Sequence, residues 1–415
     1  MIKNPVAILV LFTGLNFLNY LDRFVVAAVL PKMEKALSLS HFLAGFLATV
    51  FLIGYFLTSP FFGRLGDTGS RKLLIALGVG IWSVATVASG LATSATGLIV
   101  ARVFVGVGEA SYATLAPTVL DDIAPPEKRG RWLSIFYLAT PIGSACGFLV
   151  GGAVEKAYGW REAFYVAGGP GILLAFLCLL IAEPPRTKTG PKESMVHAFK
   201  TLMAKRLYRR GVFGYCAYTF AIGGFSFWAP SFLVDRYKME LGHANFIFGG
   251  ITVISGAIGT VIGGFLGDRA VRARLATGET NESAIDFATV TGNLRVCAWA
   301  SIVAAPLAVA AFLAPTVALF FGLVFLCEVA VFLTSSPINV VILRSVPTHL
   351  RASAMATSIF LIHLLGDLWS PPLMGKLADF MSMQSAMQVM PVAILVSAGI
   401  WWLSRDSSER VAAAA

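Results

Sequence analysis

The chain has 415 residues, 57% of them hydrophobic and only 13% charged, with a mean hydropathy of +0.77. So little charge cannot clothe a soluble domain of this length, and the composition points to a polytopic membrane protein with little mass outside the lipid. The formal net charge of +10 sits in short loops between apolar runs, with no basic face interleaved with aromatics, which argues against nucleic-acid binding.

The first apolar run, about 6–30, holds the stretch LNFLNYLDRFVVAAVL at 15–30, where Asp22 and Arg23 stand side by side. At the centre of a bilayer each charge costs roughly 2.5–3.5 kcal/mol on insertion scales, so two of them call for a partner or a function. Lys3 before this run resembles the start of a signal peptide. The run's length, its lack of a small-residue cleavage site and its two charges predict a first span instead. Asn16, Asn19, Tyr20 and Arg23 follow i, i+3, i+4, i+7 spacing and form one polar stripe, with Asp22 at its edge.

Apolar runs then predict spans at about 41–62, 73–93, 95–121, 130–153 and 163–182, each long enough for a hydrocarbon layer of roughly 30 Å. The second leads into a basic loop, GRLGDTGSRK. The fourth carries Arg102 and Glu109, seven residues apart and therefore on one face. Around Gly106 and Gly108 the motif GVGEA lacks the strand and turn of a dinucleotide site and reads as close helix packing. Gly143, Gly147 and Gly151 line one face of the fifth span at four-residue spacing.

The longest polar stretch, 183–210, separates two sets of six. Pro184, Pro185 and Pro191 break the chain there. Met195, Phe199, Leu202 and Met203, with Lys200, Lys205 and Arg206 nearby, then predict a short helix lying in the membrane interface. Further spans follow at about 211–234, 244–266, 289–312, 315–342, 352–374 and 386–404. The eighth carries Gly259 and Gly263, the tenth Glu328, and the eleventh His363 and Asp367 at i, i+4. All five cysteines, Cys146, Cys178, Cys216, Cys297 and Cys327, fall in apolar segments without CxxC or Cys/His spacing, so neither disulfides nor zinc are expected. Lys and Arg cluster in loops on one side, which puts both termini in the cytoplasm. The expected organisation is thus residues 1–182 as one six-helix bundle, 183–210 as a cytoplasmic linker and 211–415 as a second bundle.

The halves echo each other. GRLGD at 63–67 matches GFLGD at 264–268, each after the second span of its set, and APTVLDDIAPPEKRGRWLSIF at 116–136 is echoed by SPINVVILRSVPTHLRASAMA at 336–356. Six spans return the chain to its starting side, so the repeat is parallel, with its axis along the membrane normal. With twelve spans, a basic middle loop and GRLGDTGSRK, the sequence resembles the major facilitator superfamily. Within that group it resembles the Spinster lipid transporters through NYLDR (19–23), GRLGD (63–67), RVFVGVGEASYATLAPTVLDD (102–122) and SIFYLATPIGSACGFLVGG (134–152). Thr68 departs from that pattern, where these relatives usually carry Arg.

The resemblance implies an all-α integral membrane protein with the major facilitator fold, two six-helix bundles related by a pseudo-two-fold along the membrane normal. It also implies a monomer of the inner membrane that carries a lysophospholipid or sphingosine-phosphate-like anion without a cofactor. The residues agree. Asp22 and Glu109 are the candidate proton carriers, because burial favours a neutral carboxyl and a nearby guanidinium an ionised one. Asn19, Tyr20, Arg23, Arg102, Tyr137, Tyr215, Tyr218, Trp228 and Glu328 are the candidate substrate contacts. Gating is expected from Gly63, Asp67, Arg71 and Asp268, with Asp67 complementing the N-terminus of the eleventh helix near Ser353. Gly143, Gly147, Gly259 and Gly263 are expected to smooth the surface where the fifth and eighth helices of the resembled fold meet. Two other functions compete: proton-coupled symport of a small organic anion such as a sugar or aromatic acid, and a lipid-modifying membrane enzyme. The second lacks HExxH, GxSxG and any convincing Ser/His/Asp grouping, and no P-loop supports ATP-driven transport.

Overall fold

A computed structural model describes residues 2–124, 129–183, 195–275, 281–347 and 350–402. The chain folds into helices α1 (Pro5–Leu37), α2 (His41–Thr68), α3 (Arg71–Leu91), α4 (Ala95–Ile123), α5 (Arg129–Ala157) and α6 (Trp160–Leu179). After the linker come α7 (Met195–Ala204), α8 (Arg206–Tyr237), α9 (Leu241–Leu275), α10 (Glu282–Leu313), α11 (Val317–Phe332) and α12 (Ser335–Arg344). The last are α13 (Arg351–Ile362), α14 (Ser370–Ala378), α15 (Met383–Met387) and α16 (Val389–Trp402). Side-chain oxygens of Asn4, Ser40, Ser70, Ser94 and Thr316 cap their helices, which satisfies N–H groups that a helix start leaves open.

Among the described residues eleven segments are long and apolar enough to cross a membrane, α11 and α12 counting together as Val317–Arg344. The segment expected as the eleventh span is delivered in pieces. A π-helical turn, His363–Asp367, separates α13 from α14, and the Leu368 N–H reaches back to the His363 carbonyl. Several helices overrun their expected ends. α1 continues through Pro31 to Leu37 and closes on Ser38 in the left-handed conformation, φ 51°; prolines are tolerated inside such helices because neighbours re-satisfy the freed carbonyls.

The described chain forms two compact units. The first comprises Met1–Gly190, Phe227–Gly250 and Pro371–Phe380. Within it α1 packs on α5, α2 on α4, and α3 on both α4 and α6. Large apolar side chains such as Val10, Leu57, Phe61, Leu77 and Phe176 stay more than 60% exposed on outward faces, as a hydrocarbon surround requires. Ile2 pairs with Ile181 just after α6, so six helices bring the chain back to the end where it began. Glycines set the close approaches: Gly106 of α4 lies on the Phe51 carbonyl of α2, and Gly54 of α2 lies on the Val103 carbonyl. Gly108 fits against Trp82 and Gly78 of α3.

Pro191–Ser226, Ile251–Ser370 and Met381–Ala415 make the second unit. Here α10 packs on α11, α12 and α16. Tyr208 Oη donates to the Ala354 carbonyl at 2.7 Å, and Trp401 Nε1 to that of Gly211 at 3.2 Å. α7 forms where a short helix was expected, with Ala198 and Leu202 buried and α13 beside it.

The expectation for the glycine ladders needs correcting. Gly143, Gly147 and Gly151 face α1, against Phe17, Tyr20, Phe24 and Ala28, while Gly259 and Gly263 face Val329, Phe332 and Leu333. Each ladder fastens a helix inside its own unit. The neighbouring Gly152 makes the contact of α5 with α9, against Gly242 and Asn245. Four-residue spacing marks a face where backbones can touch, and it does not say which helix arrives there.

Candidate functional site

The close crossing of α2 and α4, and the bed of α5 on α1, bring four ionisable groups together inside unit 1. Arg23 of α1 clasps Glu109 of α4, with Nη2 and Nε at 2.7 and 2.8 Å from Oε2. Its guanidinium lies over the rings of Tyr20 and Phe51, both 4.9 Å away, and 5.6 Å from that of Tyr55. Those faces carry the negative part of the aromatic quadrupole and hold a desolvated cation in place.

The second pair is looser. Asp22 Oδ2 accepts the Thr86 hydroxyl at 2.5 Å, whereas its Oδ1 stands 3.8 Å from Arg102 Nη1, beyond hydrogen-bond reach. Arg102 is 2% exposed, and among the described residues its Nε and Nη1 have no hydrogen-bond partner. Asp22 Oδ1, Glu109 Oε1 and Asn19 Nδ2 are likewise buried and unbonded. Buried polar groups are normally satisfied, so five open valences in one cluster mark a place with spare recognition capacity. Tyr137, half exposed, packs edge-on to Phe136 beside this region.

A different polar site forms in unit 2. Glu328 of α11 is 6% exposed and takes hydroxyls from Ser255 at 2.7 Å and Thr252 at 3.1 Å, both on α9. It borders a cavity of about 50 Å³ lined by Phe225, Ser226, Phe312, Val324 and Ile394 among others, with no Lys, Arg, His or Asp among the described residues of its wall. On the π-helical turn, His363 Nδ1 meets both oxygens of Asp367, at 3.0 and 2.9 Å. This geometry gives the i, i+4 pair a contact.

Two aromatic expectations are corrected. Trp228 is fully buried and its indole N–H is engaged by the Pro371 carbonyl at 2.9 Å, so it presents no surface to a substrate. Tyr218 is 7% exposed, gives its hydroxyl to the Val331 carbonyl at 3.0 Å and lies against Trp401. Tyr215 packs on Tyr218. Among the gating residues, Arg71 donates its backbone N–H to Glu183 and Nη1 to Asp122 at 2.6 Å, tying the start of α3 to the end of α4 and to the chain that follows α6. Gly63 has only ordinary contact room beside Thr114. The side chains of Asp67 and Asp268 lie outside the described residues.

Sequence reasoning missed Phe51, Tyr55, Thr86, Thr252 and Ser255. Hydroxyl and aromatic residues are common in membrane helices, and nothing in their spacing singled these out.

A helical membrane protein with buried ion pairs and an internal repeat has the build of a transporter, and comparison with known proteins agrees. The model of the Major Facilitator Superfamily matches residues 12–368. The probable sphingolipid transporter spinster homolog 2 of Arabidopsis thaliana is 31% identical over 97% of this chain and 88% of that protein. The sphingosine-1-phosphate transporter SPNS2 of Danio rerio is 30% identical, over 94% of this chain and 81% of its own length. In fold, the chain matches the crystal structure of a bacterial homologue of the human lysosomal transporter Spinster, inward-facing and occupied, with a TM-score of 0.83 at 22% identity and 97% coverage of both chains. The chain belongs to the major facilitator superfamily and, within it, to the spinster transporters. It is a multi-pass membrane transporter.

Proposed function

We propose that this transporter is a proton-coupled secondary carrier of an amphipathic anionic lipid, a lysophospholipid or a sphingosine-phosphate-like molecule, working by alternating access. The observation that carries the reading is Arg102, a buried guanidinium with two unbonded donors and its nearest carboxylate oxygen at 3.8 Å. A phosphate or carboxylate headgroup supplies acceptors of the shape a guanidinium fork matches. Asn19, Tyr20 and Tyr137 border the same region, and the sphingolipid and sphingosine-1-phosphate named for the relatives support a lipid cargo.

Asp22 and Glu109 carry the protons. When a guanidinium leaves a carboxylate for the substrate, the desolvated carboxylate gains a reason to take up a proton; when it returns, the proton is released. Arg23, now on Glu109, and Arg102, now near Asp22, are the groups that change partner. Residues 1–182 and 211–415 are the halves that move, joined by 183–210, with Gly63, Asp67, Arg71 and Asp268 at the gate. The protein works as a monomer in the inner membrane with both termini in the cytoplasm.

The test is flux in liposomes containing the purified protein, offered a lysophospholipid, a sphingosine phosphate or a sugar acid, with and without a pH gradient. Lipid flux should follow the gradient. Asp22→Asn and Glu109→Gln should each uncouple it, and Arg102→Met should slow it about ten- to a hundred-fold, the worth of charge-assisted hydrogen bonds. Flux of the sugar acid without the lipids would overturn the cargo. Unchanged gradient dependence in both carboxyl variants would overturn the coupling.

A further inference from the structure

At one end of unit 1 a single carboxylate bridges helices more than 300 residues apart in sequence. Asp379, just past α14, accepts the backbone N–H of His41 on Oδ1 at 3.0 Å and that of Phe42 on Oδ2 at 3.2 Å. Ser40 takes the next N–H, of Leu43, at 3.2 Å. The first N–H groups of a helix have no partner within it, and its positive end favours an anion. α2 supplies one of these acceptors locally and borrows the other two oxygens from the far end of the chain.

Packing around the bridge is correspondingly tight. Gly375 of α14 lies on the His41 carbonyl, and Gly45 of α2 lies on the Pro371 carbonyl; a Cβ at either position would overlap backbone. Trp228 of α8 bonds Pro371 and sets its ring edge-on to His41, 5.7 Å between centroids. His41 Nδ1 in turn meets Glu34 in the last turn of α1 at 2.7 Å. Two of these helices, α1 and α2, come from the first set of spans, and the other two, α8 and α14, from the second.

We infer that Asp379 is a latch: by completing the N-terminus of α2 it holds this end of the transporter closed, and opening on this side requires its carboxylate to leave. The inference rests on the alternating-access reading, and it adds the residue that sets the balance between states. Asp379 is exposed, so substituting it leaves the core intact.

The experiment measures distances between spin labels at Tyr158→Cys and His243→Cys, exposed positions at the ends of α5 and α9, after replacement of the five native cysteines. Two populations, short and long, are expected in the otherwise native chain. Asp379→Ala should raise the long-to-short ratio about five- to thirty-fold, the effect of losing a charged cap. Asp379→Asn, which keeps one acceptor oxygen, should raise it less, and Gly375→Ala should raise it by wedging the contact. Two populations that do not respond to Asp379→Ala overturn the latch and leave alternating access standing, even if Gly375→Ala shifts them. A single short population that neither lipid nor pH alters overturns both.

Discussion

The polar sites of the two units solve the same problem in opposite ways. Unit 1 buries two guanidinium groups and two carboxylates and lets charge neutralise charge, with aromatic faces over Arg23. Unit 2 buries one carboxyl, Glu328, and surrounds it with two hydroxyls beside a small cavity. Removing one partner of a buried ion pair strands the other, at about 3–5 kcal/mol. A hydroxyl shell spreads the liability, since each hydrogen bond to a charged group is worth about 1.5–3 kcal/mol and losing one leaves the other in place. Unit 1 is therefore the more brittle of the two.

The sharpest test of that contrast is Arg23→Ala. It should cost about 3–5 kcal/mol, measured by thermal unfolding in detergent, because Glu109 has no other cation at bonding distance among the described residues. The double variant Arg23→Met with Glu109→Leu should regain most of that loss; if it does not, the pair holds the bundle through packing and the contrast fails. Next in size is Thr86→Val. Losing a hydroxyl bonded to a buried carboxylate should cost about 1.5–3 kcal/mol, read in the same assay. Gly106→Ala follows at about 1–3 kcal/mol, because its Cβ would meet the Phe51 carbonyl and push apart the crossing that assembles the ionic cluster. Glu328→Gln should be milder, about 0.5–1.5 kcal/mol, since an amide can accept from Thr252 and donate to Ser255. A loss as large as that of Arg23→Ala would erase the distinction between the units. Smallest of all, and opposite in sign, Gly63→Ala should stabilise by about 0.5–1 kcal/mol, because its methyl finds Thr114 at an ordinary 3.7 Å.

The sequence read well where chemistry and period agree. Apolar runs gave the spans, and the i, i+3, i+4, i+7 stripe put Asn16, Asn19, Tyr20 and Arg23 on one face of α1. It read poorly where the answer depended on a neighbour. The ladder from Gly143 to Gly151 announced a tight helix contact but not that α1 would fill it. Trp228 and Tyr218 looked like cavity walls because aromatics on a helix near a cavity are indistinguishable, in sequence, from aromatics packed behind it. The interruption at His363–Asp367 holds no proline, and its one glycine, Gly366, is a residue that membrane helices commonly carry, so an unbroken span was the natural reading.

Hydrophobic length, periodicity and motif spacing are local properties, and they were enough to make this chain a repeated, polytopic transporter with ionic groups on its first and fourth spans. Only the tertiary structure decided that Arg23 takes Glu109 while Arg102 is left half-bonded near Asp22, and that Asp379 reaches the start of α2. A helical period fixes the face on which a side chain stands; the depth and rotation of the opposing helix, set here by glycine contacts such as Gly54 on Val103 and Gly106 on Phe51, choose the partner it meets.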